Sequence, residues 1–287
     1  MRYTEHEDVS SWLEELDCLE KNRACSSPKF IKPFHFATVA HILRKNKAAE
    51  VNVAEKIASY ANTMNLWGAI GLESPHGPIH RAPAGRYIPL FLLEDENSVD
   101  TVSSSVVEMF RPVCSDDVTL NAVDTMLREL IGNCFAHAAS EDGLYGLICG
   151  QVWASGKKAQ IALVDSGIGI RGSLRQNEEL FDTLIKSNAC ELATQYGVTS
   201  KPGKGHSGYG LAIARKLLEQ NNGVLYVRSG DETFILSGRN ATSLKNQIPW
   251  NGTMLIIEWN IDVPMDIAEV YRGFPQIKGY SDDDFDF

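Results

Sequence analysis

The chain has 287 residues, of which 44% are hydrophobic and 22% charged, with a formal net charge of −10. These are the proportions of a soluble globular protein with room for one large domain or two ordinary ones. The acidic balance argues against nucleic acid as the main partner, because phosphate binding needs a basic surface.

The start, "MRYTEHEDVSSWLEELDCLEK", is acidic and amphipathic, unlike a signal or transit peptide. No apolar run approaches the roughly 20 residues that cross a bilayer. A cytoplasmic protein without a membrane segment is therefore expected. Next, "PKFIKPF" reads as a short strand broken by Pro33, and "HFATVAHILRKNKA" as a helix with Phe36, Val39, Ala40 and Leu43 on one face. "AEKIASYANTMNLWGAIGL" reads as a second helix. A Gly/Pro-rich loop follows, with His76 and His80 at metal-ligand spacing but no cysteine nearby, so both are read as loop histidines. A strand "RYIPLFLLE" and a helix "SVDTVSSSVVEMF" complete a small β/α alternation.

The pattern changes near residue 112, where the domain boundary is placed. "DDVTLNAVDTMLRELIGNCFAHA" is a long helix with Asp116 or Asp117 placed to cap it. The strands "LYGLICGQVWA" and "AQIALVDSGIGI" come next, then a polar stretch with one helical segment around "FDTLIKSNACELATQYG". A glycine cluster opens the helix "LAIARKLLEQ", and three strands follow: "VLYVRSG", "ETFILSG" and "GTMLIIEW". The chain divides into a small α/β domain (1–112), a larger domain (113–265) and an acidic extension (266–287) ending in "SDDDFDF". The six cysteines form no CxxC pair, which points to reduced thiols.

Three segments carry chemistry. In "ELIGNCFAHA", Glu129, Asn133 and His137 recur every four residues and so line one stripe of a helix. In "ALVDSGIGI", an apolar strand ends in Asp165, a carboxylate that needs a donor if buried, and Gly167 and Gly169 let the backbone turn tightly beside a flat ring. "GKGHSGYGLAIARKLL" contains a GxGxxG spacing, but no strand precedes it, so a dinucleotide fingerprint is rejected. Its Gly208 and Gly210 read as a loop feeding a helix N-terminus, where free N–H groups and the helix dipole favour phosphate.

In chain order these are Glu129-x-x-x-Asn133, Asp165-x-Gly167-x-Gly169, Gly208-x-Gly210-Leu211 and Gly252-Thr253. The combination, over about residues 112–262, resembles the GHKL ATP-binding superfamily of gyrase-type ATPases, heat-shock chaperones, histidine kinases and mismatch-repair ATPases. The resemblance implies a two-layer α/β sandwich in which helices cover one face of a mixed sheet and ATP lies under a lid, here roughly 171–207. It further implies that Asn133 holds Mg²⁺ bridging the phosphates, that Asp165 reads the adenine amine, and that Gly167 and Gly169 pass beside the base. Gly208, Tyr209, Gly210 and Leu211 would wrap the phosphates, with Lys201, Lys204 and His206 available to them. Thr253 would support Asp165, and His137 would contact a phosphate or finish its helix.

"ELIGNCFAHA" is most similar to the anti-sigma-factor serine kinases and some histidine kinases, and in the branches of the superfamily that hydrolyse ATP or phosphorylate serine a glutamate at the position of Glu129 acts as general base. The N-terminal region is similar to STAS-type domains, although Pro33, Phe34 and His35 stand at the turn that offers a serine there and Thr38 is the nearest hydroxyl. No long paired coiled coil precedes the ATP-binding region, and His35 and His41 lie on a short helix, which disfavours a histidine autokinase. The expected function is therefore ATP hydrolysis or phosphoryl transfer to a protein partner. The alternative is a nucleotide-gated interaction module with little turnover.

Overall fold

The computed structural model describes residues 2–77, 86–137, 143–201 and 208–275, with His137 described in its backbone alone. His80, Lys204, His206 and the "SDDDFDF" tail lie outside the described residues. Four helices come first: α1 (His6–Asn22), α2 (Pro33–Lys45), α3 (Glu55–Thr63) and α4 (Leu66–Ala69). The strand expected at "PKFIKPF" is absent because Pro33 opens α2 instead, where its missing N–H and fixed φ suit the first helical turn. The second expected helix is split in two by Asn65, which takes a left-handed φ of 60°.

Strand β1 (Tyr87–Leu93), α5 (Ser98–Phe110) and the 21-residue α6 (Asp117–His137) follow. Asp116 caps α6, its side chain accepting from the backbone N–H groups of Val118 and Thr119. Then come β2 (Gly146–Trp153), β3 (Lys158–Val164), the short helices α7 (Gly169–Leu174), α8 (Phe181–Lys186) and α9 (Ala189–Leu192), and α10 (Gly210–Asn221). The chain closes with β4 (Val224–Ser237), β5 (Asn240–Asn260) and α11 (Ile267–Gly273). The segments "VLYVRSG" and "ETFILSG", expected as two strands, are one strand, its register shifted at Ser229–Glu232 around Gly230.

The five strands form one sheet in the order β1-β2-β3-β5-β4. The α/β architecture is as expected, but every pairing is antiparallel rather than mixed. Short turns join β2 to β3 and β4 to β5, and β5 then folds back between β3 and β4, which makes its contact with each antiparallel. Helices also cover both faces, not one. Ile161 and Leu163 of β3, with Leu255 and Ile257 of β5, join a core beneath α5, α6 and α10. The intervening Ala162, Val164 and Ile256 pack against α1, α2 and α4. Strand alternation sends successive side chains to opposite faces, so strands buried on both sides read as unbroken apolar runs.

The expected boundary near residue 112 crosses this sheet, since β1 is hydrogen-bonded to β2. A buried polar cluster fastens the N-terminal layer to the second face. Glu258 of β5 accepts from Thr4 Oγ1 at 2.7 Å and Gln160 Nε2 at 2.6 Å, and Lys32 Nζ lies 3.3 Å away. Gln160 Oε1 in turn accepts from the Phe34 N–H at the start of α2. The pairing of Lys32 with Glu258 removes the cost of burying either charge alone.

Candidate nucleotide-binding site

Helix α6, the end of β3 and the start of α10 enclose a cavity of about 560 Å³, within the usual range for small-molecule sites. Glu129, Asn133, Asp165, Gly169, Lys201, Gly208, Tyr209, Gly210, Leu211 and Thr253 all line it. Glu129 and Asn133 of the polar stripe thus face a cavity rather than bulk solvent. Leu127 and Ile131, on the opposite side of α6, are buried in the core, and this division fixes the direction in which Glu129 and Asn133 point.

Asp165 follows the last paired residue of β3, Val164, which lies opposite Met254 of β5. Its backbone N–H donates to the Thr253 carbonyl at 2.9 Å. Its Oδ1 accepts from the N–H groups of Gly167 at 2.8 Å and Thr253 at 3.0 Å. Both backbone bonds fall on Oδ1, and the Thr253 side chain also hydrogen-bonds the carboxylate. Burial pushes the Asp165 carboxyl up from 3.8 to about 6, and the bonds from Gly167 and Thr253 oppose that rise.

Two glycines must be glycine here. Gly252 has φ +93°, and a Cβ on it would sit 2.0 Å from the Asp165 carbonyl oxygen, so β5 reaches Asp165 only without a side chain at this point. Gly169 has φ +74°, and its Cβ would meet Ser229 Oγ at 2.6 Å. That hydroxyl accepts from the Ile170 N–H and donates to the Gly252 carbonyl, tying α7 to β4 and β5. Gly167 lies outside the cavity wall and acts through its N–H on Asp165.

The phosphate-favouring feature is the first turn of α10. Gly210 opens the helix, and Tyr209 at its N-cap makes no capping bond with its side chain. A Cβ on Gly210 would lie 3.1 Å from both Glu129 Oε2 and Asn133 Nδ2. The start of α10, with its positive dipole end, therefore lies directly against the two polar side chains of α6. Lys201 lines the cavity while its Nζ donates to the Ala136 carbonyl near the C-terminal end of α6, 2.8 Å away.

The short helices α7 and α9 are anchored to β4 by an ion pair that sequence reading missed. Arg171 at α7 donates to both carboxylate oxygens of buried Glu232, each at 2.7 Å, and to the Leu184 and Ser187 carbonyls. Glu232 also accepts from the Ala189 N–H at the start of α9. As the first residue of the expected strand "ETFILSG" it gave no signal of burial. Outside the cavity, Thr38 is buried, accepting from Trp12 Nε1 and donating to the Phe34 carbonyl. His35 and His41 are buried, and His76 packs edge-on against Trp67.

The donor set fits a hard cation delivered with phosphates. Among the described residues no cluster of three or more His, Cys, Asp or Glu exists, which excludes there a protein cage of that composition. The amide oxygen of Asn133 and the carboxylate of Glu129 supply oxygen ligands of the kind Mg²⁺ takes alongside water and phosphate. All six cysteines are free thiols. No helix among the described residues is long and apolar enough to cross a membrane.

A comparison with curated protein sequences gives no match. Residues 119–245 match the family model of the histidine kinase-, DNA gyrase B-, and HSP90-like ATPases. That span takes in most of α6, the end of β3 and the start of α10, which build the cavity, so the part of the chain that forms the cavity is similar to this family of ATPases.

Proposed function

We propose that this protein binds Mg-ATP in the α6–α10 cavity and transfers its γ-phosphate to water or to a protein hydroxyl, with Glu129 as general base. The observation that carries the reading is the approach of Gly210 to Glu129 and Asn133, at 3.1 Å from a notional Cβ. It puts a carboxylate beside a helix N-terminus suited to phosphate, where an attacking oxygen would have to lie.

In this reading the Asp165 carboxylate accepts from the adenine amine while the Thr253 and Gly167 N–H groups hold it in place. The first-turn N–H groups of α10 orient the phosphates. Asn133 holds Mg²⁺, and neutralisation of phosphate charge is the chemistry that ion supplies when bound. Glu129 Oε2 takes the proton of the attacking water or hydroxyl. Lys204 and His206 remain proposed phosphate contacts from the sequence, as does His137.

Residues 1–112 serve docking or regulation in this account. Support comes from α1, α2 and α4, which cover the sheet face opposite the α6–α10 layer. The buried hydroxyl of Thr38 offers no ready phosphoacceptor, so in the kinase form of this reading the acceptor is a hydroxyl other than Thr38, on a partner protein.

The test follows labelled γ-phosphate from Mg-ATP with wild type and Asn133→Ala, with and without a chelator. Label released as inorganic phosphate identifies an ATPase, and label on protein identifies a kinase. Loss of both with Asn133→Ala and with chelator is expected. Tight Mg-ATP binding with no transfer, in the presence of cell extract as well as alone, would replace this reading with the nucleotide-gated module.

A further inference from the structure

We infer that Phe274, at the C-terminal end of α11, is a positioning residue for the Gly208–Gly210 loop, which it clasps through the rings of Tyr196 and Tyr209. The inference rests on the reading of that loop as the phosphate contact. Tyr209 is the one side chain in the Gly-Tyr-Gly sequence. The glycines on either side have the freest backbones of any residue, so the loop's position depends on what holds the tyrosine ring.

That ring stacks on Tyr196 with centroids 4.6 Å apart and planes 6° from parallel. Phe274 closes the group, 4.5 Å from the Tyr196 ring and 6.2 Å from the Tyr209 ring. Tyr196 Oη also donates to the Pro275 carbonyl at 3.0 Å. Offset and tilted aromatic contacts at these distances attract beyond their buried area. The clasp therefore joins three segments far apart in sequence: the stretch after α9, the start of α10, and the chain leaving α11.

The clasp has a rigid base. Asp266 caps α11 by accepting from the N–H groups of Ala268 and Glu269. Its own N–H donates to Gln220 Oε1 near the end of α10, and the Met265 N–H donates to Thr119 Oγ1 at the start of α6. Ile267 and Val270 are buried in the main core. Tyr271, one turn before Phe274, has its phenol pushed above the ordinary value by burial and, to a lesser extent, by the charge of the Glu129 carboxylate. Helix α11 thus touches both the wall that carries Glu129 and the loop opposite it.

A clasp of this kind acts by pre-organisation. Without it the phosphate-competent loop is populated for a smaller fraction of the time, and apparent affinity falls by that fraction. The loss is selective, because only ligands with phosphates meet the loop.

The experiment measures binding of ATP and of adenosine to the full chain as wild type, Phe274→Ala and Phe274→Tyr, with amide exchange over residues 209–212. Phe274 is only partly buried, so the alanine variant is expected to fold. The expected result is ATP binding weakened about five- to tenfold in Phe274→Ala, as for loss of two aromatic contacts. Adenosine binding stays unchanged, exchange at the start of α10 is faster, and Phe274→Tyr restores both. Unchanged ATP affinity, or equal losses for ATP and adenosine, overturns the clasp alone. Wild type that binds ATP no better than adenosine overturns both the clasp and the phosphate-loop reading beneath it.

Discussion

The carboxyl of Asp165 makes nucleotide binding depend on pH in a way that isolates the adenine contact. Burial raises this group from 3.8 to about 6. For an acid so raised, the folded chain holds more protons than the unfolded chain between about pH 4 and 6. Asp165 therefore lowers stability as pH rises through that window, by about 3 kcal/mol in all at about 1.4 kcal/mol per pKa unit. An adenine amine donating to the carboxylate favours the ionised form and draws the carboxyl back toward its ordinary range. Binding then releases a proton below pH 6, and affinity weakens by up to about tenfold per unit of acidification.

Adenosine is the ligand of choice, because it carries no phosphate to titrate in the same range. Calorimetric titration should give affinity nearly flat above pH 7 and about tenfold weaker at pH 5, with proton release at pH 5 shown by buffers of different ionisation heat. Asp165→Asn should bind more weakly at neutral pH and show no such slope. Wild-type affinity that does not change between pH 7 and 5, or the same slope in Asp165→Asn, would refute the assignment of Asp165 to the adenine.

Three further predictions concern stability. Gly252→Ala places a methyl 2.0 Å from the Asp165 carbonyl at φ +93° and should cost at least about 2 kcal/mol in urea unfolding, as a strained left-handed residue plus a clash. Arg171→Ala leaves the Glu232 carboxylate buried without its cation and should cost about 3–5 kcal/mol, whereas Arg171→Ala combined with Glu232→Gln should recover at least about 1 kcal/mol of that. His35 is held down to about 3, chiefly by burial, so its stabilising effect is present above pH 6.5 and lost as pH falls through the window below. Wild type should lose about 2 kcal/mol more than His35→Gln between pH 6.5 and 5 in parallel urea titrations.

The site was more legible in the sequence than the fold around it. Asp165 at the end of an apolar strand, the four-residue stripe of Glu129 and Asn133, and the glycines before α10 are local signals, each tied to a strand end or a helix end. The structure brings them to one cavity. The sheet was harder to read, because an apolar run does not reveal which strand lies beside it. The alternation of Ala162 and Val164 on one face with Ile161 and Leu163 on the other shows only when both layers are present. The segment at Pro33 misled because its short apolar pieces suit a strand, while the proline serves equally as a first helical residue.

The residues missed altogether act across long separations. Glu232 and Arg171 are 61 positions apart, and Phe274 meets Tyr196 from 78 positions away (274 − 196). Neither pair has a local pattern. Gly252 was visible only as a neighbour of Thr253, and its role came from the approach of the Asp165 backbone.

The central claim is that Glu129 acts on the proton of the attacking group and does not merely bind nucleotide. The most direct measurement is single-turnover loss of γ-phosphate from Mg-ATP in wild type and Glu129→Gln, with the dissociation constant of Mg-ATP measured on the same preparations. The account predicts a rate reduced at least about a hundredfold, the usual scale for a lost general base, with affinity changed less than about threefold. Equal single-turnover rates in the two proteins, or a rate that falls only as far as the affinity does, would contradict it.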